Sequence, residues 1–120
     1  MKFRCERDVL DRAFSIARRA VAGRGGTLQV LSGLHLELKG NRLTVVGSDL
    51  DLVVRVTVEV GGEKDGSVVL SAQLGSDIVR AFDSGQVEVT VDDDGASVVS
   101  GRSNFSLRVM SSEEYPKFDE

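Results

Sequence analysis

The feature that most constrains this chain is repeated two-residue alternation. Leu34, Leu36 and Leu38 alternate with His35, Glu37 and Lys39. A period of two puts the leucines on one face of an extended strand and the polar residues on the other. Leu43–Val46, the β-branched run from Leu52 to Val60, Val68–Leu70, Val87–Val91, Val98–Ser100 and Phe105–Met110 add further strands. Near the start, residues 2–6 form another, with Phe3 and Cys5 on one face. Asn41 suits a hairpin turn between two of these strands. The chain has no Trp and only 5% aromatic residues. Its core must therefore come from Val, Leu, Ile and Ala, a palette that suits a pleated, half-buried surface.

Two segments break the alternation with helical spacing. Val9, Leu10, Ala13, Phe14, Ala17 and Ala20 make one apolar stripe, with Asp8 near the favourable end of the helix dipole. This helix should end near Val21, before Gly23-Arg24-Gly25-Gly26. Ser71 is a good N-cap for a second helix whose apolar stripe reads as Leu74, Ile78, Ala81 and Phe82, with Gln73, Ser76, Asp77 and Arg80 polar and Gly85 as the stop. Gly61 to Gly66 reads as a polar loop, and Ser111–Glu120, which holds the one Pro, as an exit linker. Strands outnumber helices, so the expected fold is α+β: two helices packed on one side of antiparallel sheets. Each half has a helix followed by at least three strands, the outline of a two-fold repeat without residue-level similarity.

A length of 120 residues fits one domain. The opening MKFRCERD is charged and is no secretory signal, and no apolar run approaches the ~20 residues of a membrane span. One Cys excludes an intrachain disulfide, and a cytoplasmic location is expected. Enzyme readings fare badly. With one His and one Cys, a clustered Cys/His metal site is excluded on count. Cys5 and His35 could pair as nucleophile and base, but Cys5 lies on an apolar strand face, which favours a buried structural thiol. Asp92-Asp93-Asp94-Gly95 lacks the ~12-residue ligand spread and closing Glu of a calcium loop, so it reads as a hairpin turn. Asp49 and Asp51 share one side of an extended segment without a further acceptor beside them, and are expected to be structural. No phosphate-cradling glycine motif is present, and no cofactor or metal is expected.

Charge is unevenly distributed. The net charge is −4, yet residues 1–24 hold seven basic and three acidic residues, and the remainder hold eight basic and sixteen acidic. A basic leading segment on an acidic body suggests one surface that faces phosphate. Arg12, Ser15, Arg18 and Arg19 fall opposite the apolar stripe of the first helix. Arg24 sits among glycines, where a guanidinium can reach a phosphate while the backbone stays clear.

Several segments in order resemble the bacterial DNA polymerase III beta subunit, the replicative sliding clamp. These are Met1-Lys2-Phe3 with Glu6-Arg7; Arg24 followed by Leu28, Val30 and Leu31; and Gly47-Ser48-Asp49-Leu50-Asp51. Further along come Ala72, Asp77, Ile78 and Arg80; Ser100-Gly101-Arg102-Ser103 with Phe105-Ser106-Leu107; and Tyr115-Pro116 with Asp119. The resemblance implies that residues 1–120 are the first of three similar domains, the second and third lying outside this chain. It implies a non-catalytic, head-to-tail ring of two subunits around duplex DNA, with helices lining the hole and sheets forming the wall. The polymerase and clamp loader would bind through the absent domains, and no membrane is involved. Arg24 matches a DNA contact of the family; Arg12, Arg18 and Arg19 join it by helix spacing, and Gln73 stands where a relative can carry a DNA-contacting Arg. Phe105 and Leu107 match positions where the first domain meets the partner subunit, and Arg102 is placed for an ion pair there. Gly25 and Gln29 replace usual prolines, and Asn104 replaces a frequent basic residue. The competing reading is a free-standing α+β binding domain on the same fold.

Overall fold

The computed structural model describes residues 1–21, 33–49, 52–93 and 95–115. The elements run β1 (Lys2–Glu6), α1 (Arg7–Arg18), β2 (Gly33–Lys39), β3 (Arg42–Ser48), β4 (Val53–Glu59), β5 (Gly61–Lys64), β6 (Gly66–Ser71), α2 (Ala72–Ala81), β7 (Gln86–Asp92), β8 (Gly95–Ser100), β9 (Ser103–Leu107) and β10 (Val109–Met110). A 3-10 turn over Ser112–Glu114 follows. The strands form two antiparallel sheets, ordered β5-β1-β7-β8-β9 and β10-β6-β2-β3-β4. The order carries an exchange. β1 leads through α1 into the meander β2-β3-β4 of the other sheet, and β6 leads through α2 into β7-β8-β9 of the first. This is the two-fold repeat suggested by the element pattern, expressed in topology.

One core fills the space between the sheets and helices. Phe3, Leu10, Leu34, Leu36, Leu38, Leu43 and Leu70 are fully buried, joined by Phe14, Val45, Val87 and Val89. Inward leucines of β2 thus follow the alternation, while His35 and Glu37 lie on the outer face. A smaller cluster of Val46, Val69 and Tyr115, with Val53 and Met110 against it, covers part of that outer face. The Tyr115 ring stacks on His35 at 5.1 Å between centroids.

The first helix keeps its expected stripe of Leu10, Ala13, Phe14 and Ala17, although Val9 is only half-buried. It closes through Ala20 and Val21, whose N–H groups donate to Ala17 and Arg18 carbonyls at 3.2 and 3.0 Å, so the last turn is tightened. Gly47 lies beneath this end: a Cβ there would collide with the Ala17 carbonyl. The glycine of the Gly47-Ser48-Asp49 segment is therefore required by the close approach of helix to strand.

Three expectations are corrected. The buried face of α2 is Ala72, Gly75, Ser76 and Val79, and not the Leu74–Ile78–Ala81 line; Leu74 is 54% exposed and Ala81 is exposed. Small residues win this face because α2 lies against α1: a Cβ at Gly75 would stand 3.4 Å from Phe14 Cε2. The Gly61–Gly66 segment contains strand β5, paired with β1. Its two glycines and flanking charges give no alternation, because an edge strand can be held by backbone hydrogen bonds alone. The stretch Phe105–Met110 is not one strand but two, β9 and β10, belonging to different sheets. Beyond it, Tyr115 is buried, so the start of the tail is packed onto the domain.

Arg7 ties the helices together. Its Nε donates to the Val79 carbonyl at 3.1 Å and its Nη2 to the Arg80 carbonyl at 2.8 Å, while Nη1 meets Asp8 Oδ1 at 3.0 Å. The last carbonyls of α2, left open by helix geometry, thereby receive a cation at the negative end of the dipole. Arg7→Met should lower unfolding free energy by about 1–3 kcal/mol in urea titrations, and Arg7→Lys should recover only part, because an ammonium lacks the planar fork. Equal stability of Arg7→Met and the parent would refute this role.

Candidate nucleic-acid interface

The two helices lie antiparallel, since Arg7 at the start of α1 reaches the end of α2 while Phe14 faces Gly75 near its start. Their outer faces point away from the sheets. On α1 that face carries Asp8, Arg12, Ser15 and, just past the helix, Arg19; Arg12 and Arg19, seven residues apart, fall in one stripe and are exposed. Arg18 lies to the side and is half-buried. On α2 the exposed polar arc is Gln73, Asp77 and Arg80. Arg24 lies outside the described residues. Arg12, Arg19 and Gln73 are thus exposed on the two helices or just past them, Arg18 is half-buried, and Arg7 is engaged by the end of α2. The structural role of Arg7 was not legible in the sequence, because nothing in spacing distinguishes a cation that caps a distant helix from one that faces solvent.

The second group of residues lies on β9, which ends its sheet among the described residues. Phe105 is 40% exposed and its ring meets Phe82 edge-on, with centroids 5.6 Å apart. Leu107 is half-buried and packs against the core. Arg102 is exposed in the β8–β9 turn, where Gly101 adopts φ 58°, a conformation open to glycine at little cost. An edge strand with an exposed aromatic residue is a template for pairing with another chain.

The nucleophile and acid–base readings do not survive placement. Cys5 lies in the core on β1, and His35 lies on the outer face of the other sheet beside Tyr115. Burial, reinforced by the neighbouring Glu6 charge, pushes the Cys5 thiol up to about 11, so the thiolate is disfavoured at neutral pH. Burial lowers His35, opposed by Glu37. Asp49 Oδ1 accepts the Leu52 N–H at 2.7 Å, a turn-making contact; Asp51 lies outside the described residues. Asp92 pairs with Gly95 across the β7–β8 hairpin, Asp94 lying outside the described residues. Among the described residues, no group of three or more His, Cys, Asp or Glu is arranged to hold a metal ion, and no helix is long and apolar enough to cross a membrane.

Known proteins match this arrangement closely. Residues 1–119 match the family model described as the DNA polymerase III beta subunit, N-terminal domain. The chain is 40% identical over 116 residues, 97% of its length, to the beta sliding clamp of Streptomyces coelicolor, and 35% identical over its whole length to that of Micrococcus luteus. It spans about a third of those relatives, 31% and 38%. It superposes on the DNA polymerase sliding clamp from Bacillus subtilis with TM-score 0.95 at 27% identity, covering 100% of this chain and 34% of that one. With the Caulobacter crescentus pol III beta the TM-score is 0.92 at 28% identity, covering 99% and 32%. The chain belongs to the DNA polymerase III beta subunit family, as its N-terminal domain.

Burial also pushes the Tyr115 phenol up to about 12. Both Cys5 and Tyr115 keep their protons in the folded chain at a pH where the unfolded chain loses them, so stability must fall as pH rises, from about 9 for the thiol and about 10 for the phenol. Melting curves of the parent and Tyr115→Phe between pH 8 and 12 check this. The parent should lose stability more steeply than the variant between pH ~10 and ~12; parallel losses would exclude Tyr115 as the group.

Proposed function

We propose that this domain forms one-third of a subunit of a ring that encircles duplex DNA and keeps a replicative DNA polymerase on its template. The observation that carries the reading is the pairing of two surfaces on one clamp-family domain. One is a helix face bearing exposed Arg12 and Arg19; the other is an open strand edge bearing exposed Phe105. The role is non-catalytic, and a buried, protonated Cys5 suits it.

In this reading Arg12, Arg19 and Arg24 lie along the inner wall, with Arg18 at the flank, and Gln73 contributes a neutral polar contact. Their task is weak contact with phosphates of any sequence. A topological link holds the DNA, so the ring does not depend on neutralising many phosphates, and the −4 net charge is no obstacle. The edge of β9 pairs head-to-tail with a second subunit, with Phe105 and Leu107 as apolar contacts and Arg102 at the rim. Polymerase and clamp loader bind through the domains that follow. The work is done among soluble components of the cytoplasm.

The deciding experiment loads the full-length protein onto nicked circular DNA. Retention on the circle and loss on linearisation are expected, whereas equal loss from both would overturn the reading. In the same protein, Phe105→Asp with Leu107→Asp should convert a dimer to a monomer in sedimentation. The isolated domain should bind duplex DNA weakly, with affinity falling steeply as salt rises; Arg12→Ala and Arg24→Ala should each lower the salt slope by about 0.9 if each neutralises one phosphate. Salt-resistant or sequence-specific binding would contradict the proposal.

A further inference from the structure

The end of the described chain folds back onto a titratable group that the ring reading does not use. His35 lies on the outer face of the second sheet, beside Val46 of β3 and Val69 of β6. Both valines are buried on that face. The segment after β9 covers them: Met110 pairs with Val69, the 3-10 turn over Ser112–Glu114 follows, and Tyr115 comes down on His35 with only 5% of its surface exposed.

The attachment has a polar end and an apolar end. The Ser112 and Ser67 hydroxyls lie 2.8 Å apart and tie the turn to β6, while the Tyr115 N–H donates to the Ser112 carbonyl at 3.1 Å and closes the turn on itself. At the apolar end the Tyr115 and His35 rings meet with their planes tilted by 33°.

A neutral imidazole suits that place. Between two valines and under a phenol ring, an imidazolium loses water. Glu37, two residues on along the same face, favours the charged form, but burial outweighs it and holds His35 below its ordinary value of 6.5. Arg55, beyond Val46 in the same cross-strand row, adds no attraction for a cation. Glu113 of the turn is exposed, so water weakens its pull. The Tyr115 phenol, pushed up to about 12, stays neutral throughout. The closed arrangement is therefore fully stable above about 6.5 and loses stability as pH falls below it.

We propose that Ser111–Tyr115 is a proton-operated strap: neutral His35 holds Tyr115 on the sheet, and a proton on His35 lifts it off and uncovers Val46 and Val69. The device goes beyond the ring reading and does not depend on it. Within that reading, the strap stands where the chain passes from this domain to the next, so its state sets how firmly that passage is held.

The test uses the 120-residue chain, in which Tyr115 is the one Tyr, His35 is the one His and no Trp is present. Tyrosine emission therefore reports the strap alone, and the imidazole proton resonances report His35 alone. Acrylamide quenching of that emission should rise about twofold or more as pH falls from ~7.5 to ~5, its midpoint matching the His35 titration, while far-UV circular dichroism stays constant. His35→Phe keeps a flat ring without the proton and should hold quenching at its high-pH level throughout. Tyr115→Ala should move the His35 titration up toward 6.5, because the ring that buries it is gone. A parent His35 that titrates at or above 6.5 would mean that attraction between imidazolium and phenol face wins, and would overturn the proposal. So would quenching that does not change with pH, or a change that survives in His35→Phe. A loss of circular dichroism over the same range would be unfolding of the whole domain and would overturn it too. If His35→Phe does not fold, an unmoved His35 titration in Tyr115→Ala overturns the proposal on its own.

Discussion

The antiparallel contact between α1 and α2 is the constraint on which the rest depends. It is made close by small residues on α2 and by Phe14 on α1, and it is fastened by the Arg7 guanidinium on the Val79 and Arg80 carbonyls. Because the helices touch on these faces, their remaining faces are assigned. Arg12 and Arg19 of one and Gln73 and Leu74 of the other are left exposed. A looser contact filled by large side chains would rotate α2 and redistribute every exposed group it carries.

The exchange of strands between the sheets makes the two helices equivalent in role. β1 and β6 each begin in one sheet, pass through a helix, and feed a three-stranded meander in the other. Each helix is therefore linked through the chain to both sheets. The same plan leaves β9 at the edge of its sheet among the described residues. The Val and Leu core supports both sheets, while Phe105 on β9 and Leu74 on α2 stay exposed.

Much of the fold was legible because alternation and helical spacing are local. Leu34, Leu36 and Leu38 went inward as their period requires, Ser71 capped α2 by accepting the Leu74 N–H at 3.2 Å, and Cys5 was buried with its strand face. The failures share one cause. Leu74, Ile78 and Ala81 satisfy the periodicity of a buried stripe, yet a neighbouring helix claimed the Ala72–Gly75–Ser76–Val79 face. Small residues carry little hydrophobic signal even where packing is tightest. Strand β5 escaped notice because backbone pairing at an edge leaves no pattern in side chains, and the break between β9 and β10 because both strands continue one alternation into different sheets.

The sequence by itself determined an α+β domain with two helices, the uneven charge of its leading segment, the apolar strand face that holds Cys5, and the family resemblance borne by short segments such as Ser100-Gly101-Arg102-Ser103. These are properties of neighbouring residues, and chain geometry makes them readable. Only the tertiary structure decided which arginine caps a helix and which face solvent, which face of α2 is buried, and that Phe105 meets Phe82. Those outcomes depend on residues far apart in the chain, such as Arg7 and Val79, whose contact is set by close packing across the domain.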